Sequence, residues 1–456
     1  MASCNSITNP ADCSTSVARL DEARLVARLL EASRVPQYAL PLFERGTVER
    51  VHWLEPKPNT AVPRPLWRCY VVMECGDVDD HGQVITTGFT IAHYAAGTGP
   101  AALAHTRHKL ATQGEFPSKC VRLLPARQHA SDVHDECDLL LIELPFDCQL
   151  PQLRMLLSAP AMHTRLVRSA GIVFESTHSP VIEDFEVGVV RYQPENRCTL
   201  RYSWRAARSD LVTPDDYRST TRLFAKTFRD DASDSYRRLH HLYQASTTTG
   251  IGFRVPKVLA YDSQLNTIWF EEVHGAPCLE NDGEVNWRIL LARTAQCLAT
   301  LHHCSLPDLP TLDDHRFVKQ ATRYAAKLLA QSPHLSEHVA HELERIRATC
   351  PASPATRLCP VHGGLRFSQI WASPDALHAL DLDDVALGRP ELDLATLLLD
   401  LQGRITHPDE AADLAEFFLR EYLSHGDDVT IDRPALDWFL ATQRLKQQTW
   451  RSRRGD

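Results

Sequence analysis

At 456 residues, with 43% hydrophobic and 23% charged residues, the chain has an ordinary globular composition and length for about three domain-sized units. A formal net charge of -9 argues against a general nucleic-acid binder, whose surface must meet phosphates with an excess of base. No apolar run approaches the ~20 residues of a membrane helix, and the opening MASCNSITNPADCSTS lacks the basic-then-apolar pattern of a secretory signal. The expected location is cytoplasmic, with no membrane partner. The 13 cysteines are scattered, odd in number and without a C-x-x-C pair, so they read as small buried hydrophobes and not as a disulfide or zinc framework.

In chain order, residues 1–40 read as a polar tail followed by an amphipathic helix from Val17 to Ala32. Residues 41–165 read as an α+β domain with strands at Glu49–Trp53, Trp67–Glu74, Val84–Ala92 and Leu139–Leu144. The link carrying Pro56, Pro58, Pro63 and Pro65 is expected to be loop or edge, because proline cannot donate to a strand ladder.

A second strand-rich segment begins near Val181 and repeats the first in outline. Val187 to Pro194, followed by Arg197 to Tyr202, echoes Val51 to Pro56, followed by Arg68 to Val72. Leu223-Phe224-Ala225-Lys226 falls where Gly88-Phe89-Thr90-Ile91 would sit, and Trp269 to Val273 where Leu141 to Pro145 would. Lys226, in an apolar strand, is either a solvent-facing edge lysine or a functional one. A helix from Ser233 to Ala245 carries Asp234, and Val258–Asp262 with Thr267–Val273 reads as a hairpin.

From Val285 the periodicity becomes helical. His302-His303-Cys304 closes one helix without a matching ligand cluster, so its structural reading outweighs a metal site. His334, His338 and His341 are spaced to share one solvated helical face. The basic stretch from Arg444 to Arg454 reads as a solvated helix end.

The stretch Cys359 to Leu401 carries the chemistry. A polar loop starts at His362. Two short strands, Gln369 to Trp371 and Leu377 to Leu382, flank a Ser373-Pro374-Asp375 turn, and a helix starts near Glu391. Acids at a strand end facing a polar loop suit a hard cation held against phosphate oxygens.

His362-Gly363-Gly364-Leu365-Arg366-Phe367-Ser368-Gln369-Ile370, then Leu380 to Asp384, then Gly388-Arg389-Pro390-Glu391-Leu392-Asp393-Leu394-Ala395, resembles the catalytic segment of the aminoglycoside phosphotransferase and choline kinase-like superfamily. That superfamily reads H-G-D-x-H-x-x-N/Q, I-D-F/W-D/E and D-P-x-x-D-L-A there. Three positions depart from it: Gly364 stands for the catalytic Asp, Arg366 for a His, and Arg389 for the Asp of Gly-Asp-Pro.

The resemblance implies an α+β, two-lobed protein-kinase-like fold preceded by an additional α+β N-terminal domain. It divides the chain into residues 1–40, 41–165, a small lobe at 170–273 and a helical large lobe at 274–456; the outline repeat makes 41–165 either a degenerate copy of the small lobe or a strand-rich segment that matches it by chance. It implies ATP and Mg²⁺ as cofactors. Lys226 would contact phosphates, Glu271 and Val273 would belong to the adenine-binding hinge, and Gln369 and Asp381 would hold the metal. Gly364 marks a missing base, a loss typically costing ~100-fold to 10,000-fold in rate. Arg366 could neutralise charge on the transferred group, and Asp383 or Asp384 could substitute as base. Two readings stay open: a phosphotransferase acting on a hydroxyl of a small molecule, and a pseudokinase that binds nucleotide or a protein partner as a regulator or scaffold.

Overall fold

The computed structural model describes residues 47–54, 65, 67–78, 84–95, 97–124, 137–168, 181–207, 220–248, 250–279, 285–331, 333–351, 358–425 and 430–452. The helix expected over Val17 to Ala32 lies outside them. No helix among the described residues is long and apolar enough to cross a membrane. The chain divides into two compact units: Met1–Ala232 with Asp262–Thr267, and Ser233–Tyr261 with Ile268–Arg454.

Two five-stranded sheets are present. The first contains β1 (Thr47–Leu54), β2 (Trp67–Val78), β3 (Val84–Ala95), β4 (Val121–Leu124) and β5 (Cys137–Glu143), in the order β1-β2-β3-β5-β4. Helix α1 (Gly99–Thr112) intervenes between β3 and β4. Its buried Ala102 and Leu110 pack with Ala92 and Tyr94 of β3, Val121 of β4 and Leu140 of β5. Asp138 accepts from the Gly99 amide at 2.7 Å, placing a carboxylate at the positive end of α1. A Cβ on Gly99 would lie 2.5 Å from Asp138 Cβ, so only glycine permits this approach.

Two short helices follow, α2 (Leu153–Leu156) and α3 (Ala159–Arg168). The second sheet contains β6 (Val181–Gln193), β7 (Arg197–Ala207), β8 (Thr220–Phe228), β9 (Val258–Asp262) and β10 (Thr267–Glu271), in the order β6-β7-β8-β10-β9. Helix α4 (Ser233–Thr248) again intervenes between the third and fourth strands. Both sheets therefore share strand order and helix position. The pairing differs from the sequence alignment by one residue: Trp53–Cys69–Ile91 and Tyr192–Cys198–Thr227 form matching cross-strand rows. Thr90, opposite Tyr70, then corresponds to Lys226, opposite Thr199. A strand slip of one residue exchanges faces, which apolar pattern alone does not resolve in strands with two covered faces.

In the second unit, β11 (Ala276–Pro277) leads to α5 (Trp287–His303), α6 (Asp314–Gln331) and α7 (Ser336–Ala348). The helix begins at Ser336, so His334 lies in a preceding 3-10 turn and does not share its face with His338 and His341. All three histidines are exposed. Strand β12 (Cys359–Val361) pairs with β15 (Ala386–Gly388), and β13 (Ile370–Ala372) with β14 (Leu377–Ala379). Helices α8 (Glu391–Gln402), α9 (Pro408–Leu423) and α10 (Arg433–Ser452) complete the unit.

Helix α8 is buried from Glu391 through Leu399. A helix enclosed on all sides matches its leucine-rich sequence. It packs on α9 and α10, while α10 also packs on α6. At the α6–α10 contact, Trp438 makes edge contacts with Phe317 and Phe439, and its indole N–H donates to Ile346 O at 2.7 Å. Trp438→Ala should destabilise this unit by about 3–5 kcal/mol through the lost contacts and the cavity left behind, read from denaturant unfolding.

Candidate functional site

The loop His362–Arg366 leaves β12 and is gathered onto one side chain of α8. Asp393 is fully enclosed, at 0% exposure. Its Oδ2 accepts from the His362 amide at 2.6 Å, and its Oδ1 from the Gly363 and Gly364 amides at 3.0 and 2.9 Å. Consecutive amides can converge on one oxygen because Gly363 and Gly364 have φ of +88° and +133°. His302, buried at the end of α5, lies with Nε2 3.4 Å from Asp393 and Nδ1 2.8 Å from the Tyr422 hydroxyl. His302 thus serves a hydrogen-bonded core.

Burial pushes the Asp393 carboxyl upward. The His302 hydrogen bond, the His302 and His362 charges and the Gly364 amide outweigh that effect and hold it below its ordinary value.

Beyond the loop, Phe367–Gln369 forms a 3-10 turn whose first amide donates to Asp400 of α8 at 2.8 Å. Gln369 Oε1 accepts from the Arg366 amide at 2.9 Å, and its Nε2 donates to Asp381 Oδ2 at 3.4 Å. Leu380 lies between them: its carbonyl is 2.9 Å from His362 Nε2 and its amide donates to Gln369 O at 2.9 Å. The run expected as strand to Leu382 stops at Ala379, because Asp381 adopts φ +61° and Leu382–Asp384 form a 3-10 turn. Asp381 and Gln369 are thereby brought together. The hard oxygen donors suit Mg²⁺, which takes one or two carboxylates together with substrate oxygens; Gln369 would turn its amide oxygen away from Arg366 to ligate.

Gly363 packs on the backbone of Asp384: an added Cβ would lie 2.6 Å from Asp384 O and 3.1 Å from Asp384 Cβ. Asp383 is half-buried in the same turn, and Asp384 is exposed. At Gly364, where the resemblance expects the base, an added Cβ meets no heavy atom within 4 Å. Arg366 is exposed.

Arg389 is structural. It is 6% exposed, with Nε 2.8 Å from Asp314 and Nη1 3.7 Å from Asp432, so it joins the starts of α6 and α10.

The segment after β10, where the resemblance expects a hinge, runs into β11, which pairs with β13. Gly275, at φ +148°, packs on Ala372, where a Cβ would lie 2.7 Å from the carbonyl oxygen. The amide of Glu271 donates to Lys257 O at 3.0 Å, and Val273 is half-buried. In the first unit, Lys226 is half-buried on interior strand β8, opposite the face that buries Leu223, Ala225 and Thr227. Its Nζ lies 5.9 Å from the Phe228 ring centroid, within cation–π range. The edge-lysine reading fails because β8 is flanked by β7 and β10. Helix α4 contains no glutamate, and Asp234 pairs with Arg237.

The family model described as "Phosphotransferase enzyme family" matches residues 204–439, just over half of the chain. The chain belongs to that family. Among solved structures, it is similar to an aminoglycoside phosphotransferase from Streptomyces rimosus at 17% identity and TM-score 0.40, covering 63% of this chain and 98% of the other. It is similar to a choline kinase from Cryptosporidium parvum at 12% identity and TM-score 0.41, covering 63% and 88%. A macrolide 2'-phosphotransferase from Brachybacterium faecium gives 14% identity and TM-score 0.41, covering 63% and 94%. No curated relative matches.

As a phosphotransferase family member, the chain has a sheet-rich and a helical part, with a further α+β region before them. The anchoring roles of Asp393, His302 and Asp400 were not assigned from sequence. Their signal was acids within the leucine-rich run of α8 and a histidine at an apolar helix end. Cys297 and Cys304 are unsuited to nucleophilic work, because burial pushes their thiols up to about 11.

Asp393→Asn should lower stability by about 3–5 kcal/mol, because the loop amides lose a buried charged acceptor. A depressed folded pKa means that the carboxylate stabilises above its unfolded value, near ~4. That contribution is lost as pH falls through the lower folded value. The stability gap between wild type and Asp393→Asn, measured by denaturant titration, should therefore be full at neutral pH and shrink below the ordinary carboxylate range.

Proposed function

We propose that the chain is a cytoplasmic, kinase-like phosphotransferase that uses ATP with Mg²⁺ to phosphorylate a hydroxyl of a small molecule. The convergence of Gln369 and Asp381 beside a loop anchored by Asp393 carries this reading. Gln369 and Asp381 hold the metal, which when bound neutralises phosphate charge. Lys226 contacts the phosphates, and the backbone around Glu271 and Val273 receives adenine. The Glu271 amide already donates to Lys257 O.

The acceptor oxygen bonds to the γ-phosphorus as the bond from that phosphorus to the β–γ bridging oxygen breaks, releasing ADP. The acceptor proton needs a receiver that Gly364 cannot provide. Asp384 is the better placed of the two candidate carboxylates because its own backbone and Cβ flank Gly363; Asp383 is its alternative. Arg366, exposed on the loop, stabilises charge on the transferred group.

A second reading is favoured by Gly364 itself: a pseudokinase that retains nucleotide and acts as a regulator or scaffold for a protein partner. In both readings, residues 41–165 are a degenerate second small lobe, supported by the shared strand order. Neither sequence register places a lysine at the Lys226 position of the first sheet, since Thr90 and Ile91 occupy it.

Calorimetric titration with ATP, with and without Mg²⁺, should give metal-dependent binding that Asp381→Ala and Lys226→Ala each weaken at least about tenfold, the loss of one charge-assisted phosphate or metal contact. No binding by the wild type at millimolar ATP overturns the phosphotransferase reading. Gly364→Asp places a carboxylate in open space but at φ +133°. It should raise turnover by about 100-fold or more, at a stability cost of about 1–3 kcal/mol from backbone strain. Equal turnover in both forms would show that the missing base is not what limits the wild type.

A further inference from the structure

The segment after β5 hydrogen-bonds one end of the second sheet at several turns. Gln152 Nε2 donates to Thr227 Oγ1 at 2.7 Å and Phe228 O at 3.0 Å. Tyr202 donates to Leu156 O at 2.7 Å, and Arg165 bonds Asp262 and Gln264 at 2.6 and 3.0 Å. A further enclosed contact is at Asp147, which is 3% exposed. Its Oδ2 accepts from the Tyr192 hydroxyl at 2.6 Å and the Glu195 amide at 2.7 Å. Its Oδ1 accepts from the Gln149 and Leu150 amides at 2.7 and 3.1 Å.

Tyr192 and Glu195 belong to the turn joining β6 to β7. Glu195 has φ +60° and Pro194 precedes it, the pattern of a type II turn whose third residue is normally glycine. The Asn196 amide donates to Gln193 O at 3.0 Å, and Arg229 N donates to Asn196 O at 2.9 Å. Tyr192 also packs edge-on against Tyr70 of β2, with centroids 4.8 Å apart, and hydrogen-bonds Thr90 of β3. Pro194 has no amide hydrogen, so the turn's two donors, Glu195 and Asn196, are both committed.

In protein kinases, the corresponding turn is a glycine-rich loop that covers the nucleotide phosphates. We propose that Asp147 is a latch: the first α+β region holds the β6–β7 turn through an internal carboxylate, and nucleotide that uses this turn binds by displacing it. Asp147 is a positioning residue, acting through the Glu195 amide and Tyr192. The inference rests on the nucleotide-binding reading above. An amide bonded to a carboxylate cannot also donate to a phosphate, so the latch and the nucleotide compete, and apparent affinity falls with the population of the released turn.

The test compares full-length wild type, Asp147→Asn and Tyr192→Phe by amide hydrogen exchange over residues 190–198 and by MgATP titration. Asn offers one acceptor where the carboxylate offers two; Phe keeps the packing on Tyr70 and removes one donor. Exchange in this segment should rise about tenfold in Asp147→Asn and several-fold in Tyr192→Phe, and MgATP should bind about tenfold and several-fold tighter in the same order. If Asp147→Asn does not fold, Tyr192→Phe decides alone. Unchanged exchange overturns the latch. Faster exchange with unchanged or weaker MgATP affinity overturns its role toward nucleotide. If no form binds MgATP, the nucleotide reading fails and that role with it, while exchange still decides whether Asp147 holds the turn.

Discussion

One buried carboxylate organises the candidate site. Asp393 takes the amides of His362, Gly363 and Gly364 from the middle of a helix that is itself enclosed. The loop is therefore referenced to a buried helix, with the His362 ring and the Gln369 side chain adding contacts to Leu380 O and the Arg366 amide. Its conformation depends on backbone donors and two positive-φ glycines. The anchoring groups are the amides, which do not depend on which side chain stands at position 364.

The other departures from the family pattern are also absorbed locally. Arg389 replaces an acid, and two acids meet it: Asp314 at the head of α6 and Asp432 just before α10. A buried guanidinium is tolerated only with such partners. His302 is accounted for in the same way. A metal-ligand reading asks for further ligands, whereas Tyr422 and Asp393 engage its two ring nitrogens.

Local signals in the sequence were the readable ones. The Ser-Pro-Asp turn sits between β13 and β14 as the pattern indicates, α8 starts at Glu391, and Lys226 lies within a strand. Each of those depends on a few neighbouring residues. Asp393 falls in the matched segment, but its anchoring role was not readable, because its partners lie 29 to 31 residues away in sequence for the loop and 91 for His302. Asp147 is bound by Tyr192 and Glu195, 45 and 48 residues on. The one-residue slip between the two sheets has a different origin. Residue-type matching follows the sequence, while pairing register follows the backbone ladder, so the two differ by one position at Thr90 and Lys226.

The two sheets share strand order, and their chains diverge once the last strand of each is complete. After β10 the chain passes into β11, which pairs with β13 in a separate small sheet beside the Gln369 turn. After β5 the chain instead enters the segment of Asp147, Gln152, Leu156 and Arg165, which bonds the turns and strand ends of the other sheet. The matching rows differ accordingly: Lys226 stands opposite Thr199 in one sheet, and Thr90 opposite Tyr70 in the other.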